Sequence, residues 1–284
     1  MNEGRAGIAA GSARRTPAGT TERGALLLVC ASAPELRATL APAPGGNAAA
    51  LPDEARPPFA GPEASLPVLR LARCDVYLLV CGIGPVAAAL SLGACLGGFM
   101  RIARRELPDG VINTGLAGSY DPVKAPVGSL LAVDEEYFPE YGVRGEGGVL
   151  SALHLPQLVT DAGPVYTRLA LDPDAALAGM APALGKTPAS RHSALALCAR
   201  GAALTVAGIS GDPALAARTA QLCGGLAETM EGFALALACA AARVPFAEFR
   251  AVSNVAGYRP PQTWKTSEAL AALSRLGAEL FCRA

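Results

Sequence analysis

The chain alternates short, wholly apolar runs with longer stretches in which apolar residues recur at helical spacing. ALLLVCA (25–31) and VYLLVC (76–81) lack polar alternation, which marks strands buried on both faces. Each leads into a helical pattern: PELRATL, with Pro34 in its first turn, and a run from Pro85 to about Arg105. GVINTG (110–115) and GSLLAVDE (128–135) read as further strands, and so does AALTVAG (202–208), followed by the helix DPALAARTAQLC. ETMEGFALALACAAARV is a helical run, FAEFRAVSN a strand and KTSEALAALSRLGAELF a closing helix. Residues 146 to 200 carry no readable pattern. Buried strands separated by helices predict an α/β fold: a twisted, mainly parallel central sheet covered by helices on both faces.

Residues 1–24 are rich in Ala, Gly, Arg and Thr without periodicity and predict a disordered tail. The Pro- and Gly-rich stretch at about 41–67 predicts a surface insertion, leaving 25–284 as a single α/β domain. Residues 76–100 are uncharged and long enough to span a bilayer. Gly82, Gly84 and Pro85 interrupt them where a strand would turn into a helix, and charged segments flank them closely. A buried strand–turn–helix is therefore the expectation, with no membrane partner. The N-terminus shows no apolar core before a cleavage site, so no secretory signal is expected. The 24 basic and 24 acidic side chains cancel, and no basic tract carries interleaved aromatics, which excludes nucleic acid as an expected partner. None of the eight cysteines forms a CxxC pair and most lie in apolar runs, as reduced, buried thiols of a cytoplasmic protein do. His154 and His192 stand alone, so no metal site is expected.

In parallel sheets ligands bind outside the C-terminal ends of the strands. That rule points at Ser32–Glu35, Gly82–Pro85, Asn113–Gly118, Asp134–Tyr137 and Ser253–Asn254, with Met230 and Glu231 at a helix start. Gly82-Ile83-Gly84-Pro85 is either a structural strand-to-helix turn or a place where a ligand meets bare backbone N–H groups. INTGLAGSY (112–120) is either a tight turn or a floor for a flat ligand. Glu231 is a lone carboxylate in an apolar run, costly to bury unless paired or used; a helix-start carboxylate favoured by the dipole is the other reading. Glu35, at the first turn of a helix, poses the same choice. Asn254 is either a turn residue or an amide offered to a ligand.

Taken together, VCASAPEL, CGIGPVAAAL, VINTGLAGSY, VGSLLAVDEEY and ETMEGFALALACAAARVPFAEFRAVSNVAG resemble the nucleoside phosphorylase/nucleosidase superfamily over most of 25–283. The resemblance implies that fold, a purine nucleoside substrate, no cofactor, and a homodimer or larger homo-oligomer. It implies that Glu35 is the general base, that Glu231 binds the ribose with Met230 on the sugar face, and that Gly82, Gly84, Leu116, Ala117 and Gly118 shape the floor. Phosphorylases carry an arginine before the TG segment, where Asn113 stands here, which implies water as the nucleophile. Methylthioadenosine-type nucleosidases end the last signature strand in Ser-Asp; here it is Ser253-Asn254. An amide donates and accepts, which suits the N7/O6 edge of hypoxanthine. With GPVYTRLALDP (163–173) and RPPQTW (259–264), these features resemble the futalosine hydrolase family, whose members release hypoxanthine from an inosine-like nucleoside in a menaquinone route. Arg144, Arg259 and Lys265 are candidates for the substrate's aryl carboxylate, with Tyr137 and Trp264 as stacking candidates. A methylthioadenosine nucleosidase, an inosine phosphorylase and a non-catalytic purine-binding protein remain the alternatives.

Overall fold

The computed structural model describes residues 23–45, 65–145, 148–151, 155–187, 193–260 and 263–282. In chain order these form β1 (Gly24–Cys30), α1 (Ala33–Leu40), β2 (Val68–Arg70), β3 (Cys74–Val80), α2 (Pro85–Ala103), β4 (Gly110–Ser119) and β5 (Leu130–Tyr137). Two hairpins follow, β6 (Val143–Gly145) with β7 (Gly148–Ser151) and β8 (Leu158–Thr160) with β9 (Gly163–Val165). Then come β10 (Arg168–Ala170), α3 (Pro173–Leu184), β11 (Cys198–Thr205) and α4 (Pro213–Cys223). The chain closes with β12 (Ala227–Thr229), α5 (Gly232–Ala242), β13 (Phe246–Val255) and α6 (Thr266–Phe281).

The apolar runs become strands because both of their faces are covered. In β1, Leu26, Leu28 and Cys30 join Leu36, Leu40, Leu177, Leu273 and Leu276 in a core beneath α1, α3 and α6. The alternate residues Ala25, Leu27 and Val29 pack with Leu92, Phe99, Phe233 and Leu235 beneath α2 and α5. This is the three-layer arrangement that the pattern implies, with one core on each side of the sheet.

Nine strands make the main sheet, in the order β10-β5-β11-β12-β4-β1-β3-β2, with β13 pairing with both β4 and β5. Its parallel pairings are β1 with β3 and β4, β11 with β5 and β12, and β13 with β4. The antiparallel ones are β10–β5, β12–β4, β13–β5 and β2–β3, so the sheet is more mixed than the sequence suggests. Because β5, β11, β12, β4 and β13 pair in succession and β13 returns to β5, one end of the sheet closes on itself.

Three sequence expectations change. The strand expected to end at Gly115 continues to Ser119, so Asn113–Gly118 lie within β4 rather than beyond it. The helical run expected from Glu228 begins only at Gly232; Ala227–Thr229 form β12. Asp134–Tyr137 likewise belong to β5 itself. The stretch 76–100 does fold as strand, turn and helix, with Gly82 at φ 86° and Gly84 at φ 94°, a region glycine enters without strain. Helix α2 is long and apolar enough to cross a membrane by length and composition, yet Leu92, Cys95 and Phe99 sit in the core. Residues 1–22 and 46–64 lie outside the described residues; Arg23, at the edge of the expected tail, bonds to Asp75 at 2.8 Å and Gly24 already begins β1.

Candidate active site

Glu35 is fixed from two sides. It stands three residues after Ser32, the N-cap of α1, whose backbone N–H and hydroxyl donate to Oε2 at 2.8 and 2.7 Å. The helix-start reading is therefore correct for one oxygen. The other, Oε1, accepts the backbone N–H of Leu116 at 2.8 Å across from β4. The side chain is thus buried yet ties the start of α1 to the glycine-rich strand.

Glu231 occupies the N-cap position of α5 but does not cap that helix. Its Oε1 accepts the backbone N–H of Gly84 at 3.0 Å, the residue at which the GIGP turn enters α2. Its Oε2 faces Arg250 Nη1 at 3.5 Å. Burial raises its pKa above the usual carboxylate value, while Arg250 and the Gly84 N–H pull it back. The GIGP turn therefore presents an N–H to a carboxylate of the chain itself.

Arg250 is the residue that sequence reasoning missed. It is 1% exposed and lies on β13 two residues after Glu248, so the two side chains share one face of the strand. Its Nε donates to Glu248 Oε1 at 2.7 Å and its Nη2 to Asn113 Oδ1 at 2.7 Å. Burial alone would lower its pKa, but Glu248 and Glu231 raise it further, so the guanidinium stays charged. The available signal was a glutamate and an arginine at i and i+2 in an otherwise apolar strand, where unpaired charges are not tolerated.

Asn113 is fully buried and part of this network. Its Nδ2 donates to the Val29 carbonyl at 2.9 Å, and its oxygen receives Arg250. The expectation that it stands beyond a strand end is corrected: it is a mid-strand residue that orients Arg250. Gly115 shows how tightly these parts meet. A Cβ there would stand 2.5 Å from Arg250 Nη1 and 3.1 Å from Glu35 Oε1, so both charged groups converge on that bare backbone.

A second group forms where β13 ends beside β4. Ser253 Oγ donates to Asn254 Oδ1 at 2.8 Å and lies 3.2 Å from the Ala117 carbonyl. Asn254 Nδ2 donates to the Val255 carbonyl at 3.1 Å and would be 3.3 Å from a Cβ on Gly118. A register shift between Val252 and Asn254 gives this strand end its bend. Neither amide group of Asn254 is saturated: the nitrogen keeps a second proton and the oxygen a second lone pair. Met230, half-buried, directly precedes Glu231.

The side chains of the remaining candidates make their contacts apart from these two groups. Arg168 stacks over the Tyr137 ring at 4.7 Å. Arg259 stacks over Trp264 at 4.9 Å, and the indole N–H reaches the Tyr258 carbonyl at 3.3 Å. The Lys265 ammonium lies 3.7 Å from Glu268, while its backbone N–H donates to the Ser253 carbonyl at 2.7 Å, linking this segment to the Asn254 strand end. His154, His192 and the side chain of Arg144 lie outside the described residues. Among the described residues no group of three His, Cys, Asp or Glu is arranged to hold a metal ion.

A family profile described as the phosphorylase superfamily matches residues 26–283. The chain is 37% identical over 220 residues to the futalosine hydrolase of Streptomyces coelicolor, covering 76% of this chain and 84% of the relative. It is 36% identical over 206 residues to that of Thermus thermophilus, covering 70% and 78%. Among solved structures, a 5′-methylthioadenosine/S-adenosylhomocysteine nucleosidase from Colwellia psychrerythraea in complex with adenine aligns with TM-score 0.63 at 21% identity, over 93% of this chain and 98% of that one. Futalosine hydrolase of Helicobacter pylori aligns with TM-score 0.62 at 13% identity, over 90% and 97%. At those identities the structures speak for the fold; the sequence relatives speak for the branch. The chain belongs to the phosphorylase superfamily and, within it, to the futalosine hydrolase family.

Proposed function

We propose that this protein hydrolyses the N-glycosidic bond of futalosine, releasing hypoxanthine and dehypoxanthine futalosine, in a menaquinone route. The observation that carries the reading is the convergence of Glu35 and Arg250 on the bare backbone of Gly115, with Glu231 held against Arg250, beside a strand end carrying Asn254. Such a bond breaks through an oxocarbenium-like transition state, which calls for a positioned water, a negative charge near the sugar and a stabilised leaving base. Glu35 positions and deprotonates the water, its two oxygens aimed by Ser32 and Leu116. Glu231 accepts from the ribose hydroxyls and favours the developing cation, with Met230 on the sugar face. Asn254 meets the purine at N7 and O6, and Ser253 orients that amide. Gly82, Gly84, Leu116, Ala117 and Gly118 form the surrounding backbone.

Hydrolysis rather than phosphorolysis is favoured by how Arg250 is held. Its guanidinium is buried among Glu248, Glu231 and Asn113, so its charge is already matched within the chain. Tyr137, Trp264, Arg259 and Lys265 are the described side chains offered to the aryl end of the substrate. A homodimer or larger assembly belongs to the same reading, as does a cytoplasmic location suited to eight free thiols; sedimentation of the purified chain measures the former. The deciding experiment incubates the chain with futalosine in phosphate-free buffer and follows free hypoxanthine. Turnover independent of phosphate is expected. Strict phosphate dependence would assign a phosphorylase, and faster cleavage of methylthioadenosine would overturn the choice of base.

A further inference from the structure

Beneath the start of α5 lies a buried group of charges with no assigned role in the reaction. Glu136 of β5 and Glu248 of β13 are both at 0% exposure, and Oε1 of each closes on the same point, the place a Cβ on Gly232 would take, so the two carboxyl groups are neighbours. An ionised carboxylate only accepts, so two side by side in a buried site repel, and a proton on one lets it donate to the other. Two of the four oxygens have other donors. Thr205 Oγ1 donates to Glu136 Oε2 at 2.8 Å, and Arg250 Nε donates to Glu248 Oε1 at 2.7 Å. The other two, Glu136 Oε1 and Glu248 Oε2, have no hydrogen-bond partner among the described residues. A proton on Glu136 turns one of these bare acceptors into a donor.

The surroundings are built for this pair. A Cβ on Gly232 would stand 2.0 Å from Glu136 Oε1 and 2.5 Å from Glu248 Oε1, so only glycine at the first position of α5 admits both carboxyl groups. The charged groups facing them are Arg250 on β13 and Glu231 at the start of α5, with neutral Thr205 on β11. Fully ionised, the group would set three buried carboxylates against one guanidinium, an arrangement that burial makes very costly. Burial, and next the charge of Glu248, push the Glu136 carboxyl well above the usual carboxylate range.

We propose that Glu136 is a neutral carboxylic acid in the working protein, sharing its proton with Glu248, and that this pair is a positioning device for Arg250 and hence for Glu231. The proton assignment stands on the geometry of the pair; its consequence for catalysis rests on the role given to Glu231 above. Arg250 has its shortest charged contact with Glu248, and a neutral Glu136 leaves the Glu248 carboxyl to that contact. Glu136 and Glu248 thereby act on the reaction through Arg250, without touching substrate.

Infrared difference spectroscopy of the full chain, grown with isotope-labelled glutamate, tests the proton directly near neutral pH. A neutral carboxylic acid band that moves with the label is expected in the wild type and lost in Glu136→Gln. It is also lost in Glu248→Gln, whose amide donates to an ionised Glu136, so the assignment does not depend on one variant folding. Absence of the band from the wild type, or its loss in Glu231→Gln but not in Glu136→Gln, overturns the proposal. Kinetics test the positioning role. Glu136→Leu should lower kcat/KM for nucleoside hydrolysis about 10- to 100-fold, the scale of a lost bond to a charged group. Glu136→Gln, which keeps a donor toward Glu248, should recover most of that loss and extend activity to higher pH. Equal losses in the two variants would refute positioning by donation. The infrared result is independent of which nucleoside is cleaved, so a failed futalosine assay with the band intact removes the functional reading and leaves the proton assignment standing.

Discussion

At the scale of single residues, Glu231 is distinguished by a conflict between place and partner. It begins a helix, yet its carboxylate turns away to Gly84 and Arg250. Burial raises its pKa, and the ionised form is the one that accepts with both oxygens and carries the charge that favours the developing cation. Activity should therefore fall, as pH drops, through a pKa above the ordinary carboxylate range. Arg250→Met removes the main opposing influence and should move this acidic limb to still higher pH in a kcat/KM profile; superimposable profiles would count against the role of Glu231. Glu35→Gln should lower kcat about 100- to 10,000-fold, the usual scale of a general base. Asn254→Asp keeps an acceptor for Ser253 but loses the NH2 group. It should reduce futalosine cleavage and improve cleavage of an adenine nucleoside, and a variant that does neither would show that the base is read elsewhere. Gly115→Ala forces a methyl to 2.5 Å from a guanidinium fixed by three partners, so the chain should fold with strongly reduced turnover.

At the scale of elements, legibility followed how each element is buried. β1, β3 and α2 could be read because uncharged runs end abruptly at Gly82, Gly84 and Pro85. The end of β4 could not, because Gly115 and Gly118 read as a turn. In the fold they are strand residues kept small by Arg250 and Asn254 of the neighbouring β13. β12 is three residues long and merges into an apolar helix, too short for any periodic signal. Glu231 was legible as a lone carboxylate in an apolar run, and Glu35 as a carboxylate at the first turn of a helix. Arg250, Glu248 and Glu136 were not, since alternating charges in a strand look like a solvated face until the pairing buries them. The GIGP turn shows where local and distant demands coincide. Gly84 needs φ 94° to enter α2 and also donates to Glu231. Gly84→Ala should cost about 1–3 kcal/mol in backbone strain, measurable as a lower denaturant midpoint, and should reduce activity by tilting that N–H.

At the scale of the whole molecule, the fold keeps its reactive sulfur away from water. All eight cysteines are free, and burial sets the behaviour of every one but Cys282. It pushes Cys74 and Cys223 up to about 11, and Cys81, Cys95 and Cys198 up to about 12. Cys30 and Cys239, wholly inside the two cores, are raised further. Since the thiolate is the reactive form, these seven should resist a thiol reagent near neutral pH. Cys282 is exposed, at the end of α6, and its thiol lies 3.0 Å from the Pro42 carbonyl. It should react first and alone. The slow remainder then reports opening of the fold, because the sheet's closed end ties β4, β5, β11, β12 and β13 together and leaves few partial openings that expose one core only. Labelling across a urea series should therefore give one fast thiol and a single cooperative transition for the rest. A step in which Cys95 of α2 and Cys239 of α5 react well before Cys30 would show instead that the two helical layers open independently.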